Sequence, residues 1–326
     1  MISSALIARG RWVPIVVLLI ACGDKGADKT PAPEPAVAGD FTIVLIPDTQ
    51  YYYGEHLGLF ERQIAWIAEN RDRENIVFAI HLGDMTNNNT PAEWRTADRI
   101  MRVLDEAGVP WSSMPGNHDG IKGGVIDSAL YNQYFGVRRF ETSPAWGGAY
   151  GDTNDSHYFT FDAGGMQFLV LSLAFGTPAE QLAWGAEILT RFPDRRAIFA
   201  THAYLAADGS YLDRGEEFGV SDSLQRWTDG SQIFERLIAP HANVFMTVCG
   251  HWPGQGYRRS RNAAGGVVHE ILANYQGEKD AGGGYLRLLR FSPSRDKIFV
   301  ETYSPPLDAY WRDPKHSFTL DYPMPD

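Results

Sequence analysis

The sequence predicts an α/β protein: a four-layer α/β sandwich of two mixed sheets flanked by helices. Three observations predict it. Apolar, β-branched runs of strand length alternate with longer stretches of helical period across the first third of the folded sequence, the pattern of βαβ units with helices on the sheet faces. The second half is less regular, supplies further strands and helices, and closes on strands alone. Five of the strands end in short polar segments of Asp, Asn, His and Gly.

The elements follow in order from Asp40. Phe41 to Ile46 is a short bounded apolar run, suited to a buried strand. Leu57 to Asn70 carries Leu59, Phe60, Ile64 and Ile67 at helical spacing, and Ile76 to Leu82 is a second strand. Thr90-Pro91-Ala92-Glu93 opens a helix with a capping residue, a first-turn proline and an acid three residues on. That helix runs to Ala107 and stops at Gly108, before a strand over Val109 to Met114. His157 to Phe161 and Met166 to Leu173 are strands joined by the turn at Ala163-Gly164-Gly165. Pro178 to Phe192 is a helix, Ala197 to Ala200 a strand, Gln232 to Ile238 a helix and Val244 to Cys249 a strand. Antiparallel strands are expected over 256–260, 266–272, 285–291 and 297–303. Residues 205–230, polar and rich in Gly and Asp, suggest a long surface loop or lid.

Three segments organise the chain: a signal peptide over 1–21, a flexible tether over 22–39 and one folded domain over 40–326. Arg9 and Arg11 precede the apolar run Val13–Ala21, which is too short to span a bilayer. Leu19-Ile20-Ala21-Cys22 resembles a bacterial lipobox, which implies cleavage before Cys22, lipidation of its thiol and a membrane-anchored lipoprotein on the periplasmic or extracellular side. A plain signal peptide and an uncleaved anchor are the alternatives. Gly23 to Gly39 has no apolar period and is rich in Pro, Ala, Asp and Lys, as a tether requires. Two cysteines, Cys22 and Cys249, exclude a disulfide framework. The net charge of −11 repels nucleic-acid backbones and anionic lipids, so no nucleic acid is expected except as a substrate. An acidic protein that grips phosphate needs local positive charge, which bound metal ions would supply.

The strand-end segments are Asp48-Thr49-Gln50, Gly83-Asp84, Gly116-Asn117-His118-Asp119, Thr201-His202 and Gly250-His251. Ligands of open α/β sheets bind at the carboxyl ends of strands, so these segments are expected to converge. Singly, each is an ordinary turn or a structural histidine. Together they offer carboxylate, amide and imidazole donors, the types that hold a pair of divalent ions. Asp84 is the natural bridge, because a carboxylate serves two ions.

In this order the segments resemble the calcineurin-like metallophosphoesterase superfamily, with its D-x-H, GD, GNH-D/E, H and GH-x-H blocks, over Phe41 to about Trp252. The resemblance implies a hydrolase of phosphomonoesters or phosphodiesters. Two divalent ions (Mn, Fe, Zn, Mg or Ca) would hold a hydroxide that attacks phosphorus in line. Asp48 would bind the first ion, Asp84 both, and Asn117, His202 and His251 the second. His118 would hold the phosphoryl or leaving oxygen, with Asp119 orienting it.

Two positions depart from the pattern, and both fall on the first ion. Gln50 stands where histidine is common, and Pro253 where the last histidine would be. Gln50 can ligate through its amide oxygen, and Asn87, three residues after Asp84, is a further candidate. An oxygen-rich first site favours Mn, Mg or Ca over Zn. These departures support a second hypothesis: a lipoprotein that binds a phosphorylated small molecule without turning it over. Tyr51–Tyr53, His81, Tyr204, Arg258 and Arg259 are each open between a role near the site and plain packing.

Overall fold

The computed structural model describes residues 37–122, 125–215 and 228–324. The expected signal peptide, Cys22, most of the tether and residues 216–227 of the expected loop lie outside these residues.

Two mixed sheets form the centre. One holds β1 (Phe41–Ile46), β2 (Ile76–His81) and β3 (Trp111–Ser113) side by side in parallel. A small ribbon of β4 (Ile121–Lys122) and β5 (Val125–Ile126) follows in the chain. The second sheet holds β6 (Trp146–Ala149), β7 (His157–Ala163), β8 (Met166–Leu173), β9 (Arg196–Thr201), β10 (Val244–Cys249), β11 (Gly254–Arg261) and β12 (Val267–Asn274), in the order β11-β12-β10-β9-β8-β7-β6. The chain then returns to the first sheet. There β13 (Leu286–Ser292) pairs antiparallel with β1, and β14 (Lys297–Ser304) with β13. The last two strands, β15 (Ala309–Trp311) and β16 (Phe318–Asp321), both pair with β14.

The sheets pack face to face through alternate residues of their strands. Phe41 of β1 meets Phe168 of β8 edge-on at 5.7 Å, and Phe78 of β2 meets Phe159 of β7 at 5.4 Å. The other face of β8 buries Leu169, Leu171 and Leu173 against Leu182, Ile188 and Leu189 of the helix Ala179–Arg191 and against Leu237. On the far side, the helices over Leu57–Glu69 and Pro91–Ala107 bury Phe60, Ile64, Trp94 and Met101. Each such side chain contributes about 1.5–3 kcal/mol. The second of these helices starts as the sequence predicts: the Thr90 hydroxyl accepts from the Glu93 amide, and the Glu93 carboxylate accepts from the Thr90 amide at 3.2 Å.

The antiparallel strands expected over 256–303 pair as β11 with β12 and β13 with β14, and β12 has a second neighbour. β12 is antiparallel to β11 but inserts beside β10 and runs parallel to it. The hairpin folds its second strand inward, between the first and the rest of the sheet. The carboxyl end of β12 therefore emerges at the same edge as those of β8, β9 and β10. None of the helices among the described residues is long and apolar enough to cross a membrane.

Candidate metal centre

The carboxyl ends of β1, β2 and β3 meet those of β9, β10 and β12 at one edge of the sandwich. Asp48 and Asp84 follow β1 and β2 and are both 1% exposed. Asp84 lies in the left-handed region (φ 49°), as does His251 (φ 70°). Such backbone is uncommon outside glycine and is held only where surroundings dictate it. A Cβ on Gly116 would overlap Asp84 Oδ1, and one on Gly250 would overlap Asp48 Oδ1, so both close approaches require glycine.

Donor atoms converge on His202. Its Nδ1 donates to the Leu82 carbonyl at 2.8 Å, so the neutral ring carries its lone pair on Nε2. Around Nε2 stand Asn117 Oδ1 at 3.0 Å, His251 Nδ1 at 3.1 Å and Asp84 Oδ2 at 3.2 Å. Asp84, His202 and His251 each offer a ligand atom, all within 4.8 Å of one another. Burial alone would push His202 down, but the Asp84 and Asp48 carboxylates and its bond with Asp84 outweigh that and hold it up at about 9. In the neutral ring His202 Nε2 faces two further acceptors, Asn117 Oδ1 and Asp84 Oδ2, which a proton or a metal ion would bring together. The donor set fits a divalent ion, with one carboxylate, one amide oxygen and two imidazoles.

The Asp48 side is built differently. Burial pushes its carboxyl well above the usual carboxylate range; His202 pulls against this and Asp84 adds to it. Asp48 accepts from the His251 amide at 3.2 Å and from Asn274 Nδ2 at 2.8 Å, and Gln276 Nε2 lies 3.4 Å away. Gln50 opens a 3₁₀ turn over Gln50–Tyr52 with its amide oxygen buried. Pro253 is exposed. Asn274 and Gln276 belong to none of the five strand-end segments; they lie at and just beyond the end of β12. The signal that could have found them is their place just beyond an apolar run, like the other five segments.

His118 and Asp119 part company. His118 Nδ1 donates to the Asn87 carbonyl at 2.8 Å, and the His118 amide donates to Asp84 Oδ1 at 2.8 Å. The Asp119 carboxylate instead accepts from the amides of Met85 (2.9 Å), Thr86 (2.8 Å) and Gly116 (3.1 Å) and from the Thr86 hydroxyl (2.9 Å). It staples the β2 and β3 turns together, whereas the bond that fixes the His118 ring comes from Asn87. Asn87 thus holds the His118 ring through its backbone carbonyl. A cleft of about 350 Å³ beside His118 is lined by Asn87, Asn88, Asn89, Asn117 and Asp127.

The neighbours left open by sequence divide clearly. His81 is buried, with Nε2 3.1 Å from the Thr49 hydroxyl, and burial lowers it to about 3. Tyr204 is buried and donates to Glu270 at 2.5 Å, a packing role. Tyr52 is buried, Tyr51 is exposed and Tyr53 bonds the Glu93 carbonyl at 3.2 Å. Arg258 is taken up by the Gly209 carbonyl and the Tyr211 ring, and Arg259 is exposed. Phe175 closes over the histidines, its ring 5.8 Å from His202 and 5.3 Å from His251.

Comparison with known proteins agrees with this geometry. The family model of calcineurin-like phosphoesterases matches residues 41–255. The chain is 33% identical over 303 residues to the uncharacterized protein YvnB of Bacillus subtilis (strain 168), a match that covers 88% of this chain but only 22% of that protein. Among solved structures, a dimetal phosphatase from Danio rerio is similar in fold, with a TM-score of 0.55 at 16% identity, over 86% of this chain and 99% of that one. With more than half of its residues matched by the family model, the chain belongs to the calcineurin-like phosphoesterases, a family of metal-dependent phosphoester hydrolases with a dinuclear metal centre.

Proposed function

We propose that the protein hydrolyses small phosphomonoesters or phosphodiesters, exported and held at a membrane by a lipid on Cys22. The observation that carries the catalytic reading is the convergence on His202 Nε2 of Asn117, His251 and Asp84, each within 3.2 Å. Asp84, Asn117, His202 and His251 would hold one divalent ion. Asp48 and Asp84, with Gln50, would hold the other. Bound ions would supply charge against the phosphoryl oxygens and a water acidic enough to attack at neutral pH.

The chain's own residues do the rest. Asn117 contributes an oxygen without adding charge, which keeps the centre positive toward an anionic substrate. Asn87 fixes the His118 ring through Nδ1 and leaves Nε2 for the cleft; as the imidazolium, the ring would donate from Nε2 to a phosphoryl oxygen or give that proton to the leaving oxygen. Phe175 shields the paired imidazoles from water on one side, which strengthens charge interactions beneath it. The asparagine-lined cleft favours a hydrophilic leaving group.

The test uses purified full-length protein, chromogenic mono- and diester phosphates, added Mn, Ni, Zn or Ca, and bound-metal analysis. Turnover that disappears in Asp84→Asn and His118→Ala is expected. The exposed Pro253 motivates the other reading, a site that binds a phosphorylated ligand without turnover. One tightly held ion with no hydrolysis under any metal would favour it. For the anchor, Cys22→Ser is expected to move the protein from the membrane fraction to the soluble one. Unchanged membrane association would sink that part.

A further inference from the structure

The first-ion side lacks its last histidine, yet it is not short of donors. What faces Asp48 is the end of β12. Because β12 runs parallel to β10, Asn274 and Gln276 emerge beside His251. Asn274 Nδ2 bridges Asp48 Oδ2 at 2.8 Å and the His251 carbonyl at 2.9 Å. The Gln276 amide donates to Asn274 Oδ1 at 3.1 Å, so the two residues form one unit. Gln276 is only 8% exposed, and its Nε2 lies 3.4 Å from the same Asp48 oxygen.

Its amide oxygen has no hydrogen-bond partner, although it is buried. Gln50, 3% exposed, has a buried oxygen in the same state. A buried acceptor left unpaired costs about 1–3 kcal/mol. Gln50 stands two residues after the buried Asp48 and Gln276 contacts its carboxylate, and each keeps an oxygen acceptor unmatched. Packing alone gives no reason to keep glutamine at both places.

We propose that Gln276 supplies the ligand that Pro253 lacks. Its amide oxygen, with Gln50 Oε1 and the Asp48 and Asp84 carboxylates, makes an all-oxygen site for the first ion. The proposal rests on the hydrolase reading above and deepens it. It also makes the two sites unlike. Carboxylates and amides suit hard ions such as Mg, Mn or Ca, whereas the paired imidazoles of the second site suit Zn or Fe as well. Asn274 is a positioning residue, which holds Asp48 and the His251 turn in register.

The test is metal binding rather than turnover. Metal-stripped full-length protein is titrated with Mn²⁺ by calorimetry, and the product is examined by EPR for a coupled ion pair. Wild type is expected to take up two ions. Gln276→Ala is expected to weaken only the first, by at least about tenfold, and to convert the coupled signal to that of an isolated ion. Gln276→Glu keeps an oxygen donor and adds charge, so it is expected to retain or tighten the first site. If Gln276 served only to hold Asp48 through its N–H, the Glu variant would repel Asp48 and lose the ion as the Ala variant does. That result overturns the proposal. Two ions bound by Gln276→Ala with unchanged affinity overturn it too, and leave the hydrolase reading intact. A wild type that takes up one ion removes the first site alone; one that takes up none sinks both readings. Should Gln276→Ala fail to fold, Gln276→Glu against wild type still decides.

Discussion

His202 Nε2 and His251 Nδ1 face each other at 3.1 Å. The opposite nitrogen of His202 is committed to the Leu82 carbonyl, so a hydrogen on Nε2 makes that ring a cation. The Asp84 carboxylate at 3.2 Å favours this charge. Both carboxylates, Asp84 and Asp48, thus favour an imidazolium at His202, whose proton a binding metal ion would displace.

A pH dependence of the metal-free protein follows. His202 is held up at about 9 against an ordinary value of 6.5, with burial opposed and outweighed by the Asp84 and Asp48 carboxylates. A raised histidine gives stability that is fully present below the ordinary value and is lost as pH rises through the folded one. The Tm of metal-free protein is expected to fall as pH rises from about 7 to beyond 9. Asp84→Asn should flatten that fall. Mn²⁺ at a hundred times its Kd should add about 2.7 kcal/mol. A metal-free Tm independent of pH over this range would mean that Nε2 is not protonated.

The two glycines that admit the carboxylates give a second prediction. Alanine at Gly250 would press on Asp48 Oδ1, a side-chain atom that can turn aside. Alanine at Gly116 would also meet the Asp84 backbone nitrogen, which cannot. Gly250→Ala is expected to cost about 1–3 kcal/mol and to weaken the first ion only. Gly116→Ala should shift the whole Asp84 turn, cost more and weaken both ions. Metal titration with thermal melts measures both; equal effects of the two substitutions would contradict the geometry.

The convergence of the donor side chains was legible in the sequence where a turn-forming glycine abuts one of them. Val244–Cys249 ends at Gly250-His251, and Gly116-Asn117-His118 closes the third strand; both mark a strand end and a donor in one short segment. Gln276 escaped that logic because the direction of β12 against β10 is decided by where the β11–β12 hairpin inserts, which no local pattern records. The Asn87 carbonyl escaped it because a backbone oxygen has no letter in the sequence. Among the elements, the helices at 129–135 and 137–140 are too short for a period to emerge. The strand over 146–149 reads Trp-Gly-Gly-Ala, and three of its four residues are of types depleted in strands.

Asp119 separates positioning from chemistry. Its carboxylate accepts from three backbone amides and one hydroxyl of the two ligand turns. Asp119→Ala strands those buried donors and is expected to cost at least about 3 kcal/mol; Asp119→Asn should cost less, because one oxygen remains. Activity of Asp119→Asn should recover at saturating metal, since the role is to hold the turns. A kcat that stays as low as that of His118→Ala at full metal occupancy would instead mean that Asp119 acts through His118.

The remaining prediction concerns the leaving group. With Nδ1 donating to the Asn87 carbonyl, His118 has one nitrogen left for the cleft. Proton donation from it matters when the departing alkoxide is basic and hardly at all when it is a stable phenolate. His118→Ala is therefore expected to lower kcat by roughly 10²–10⁴ on alkyl phosphoesters, by much less on 4-nitrophenyl esters, and to leave metal content unchanged. Equal losses on both leaving groups would assign His118 to phosphoryl binding alone. A lost ion would show that the ring, through its amide bond to Asp84, supports the centre rather than the departing oxygen.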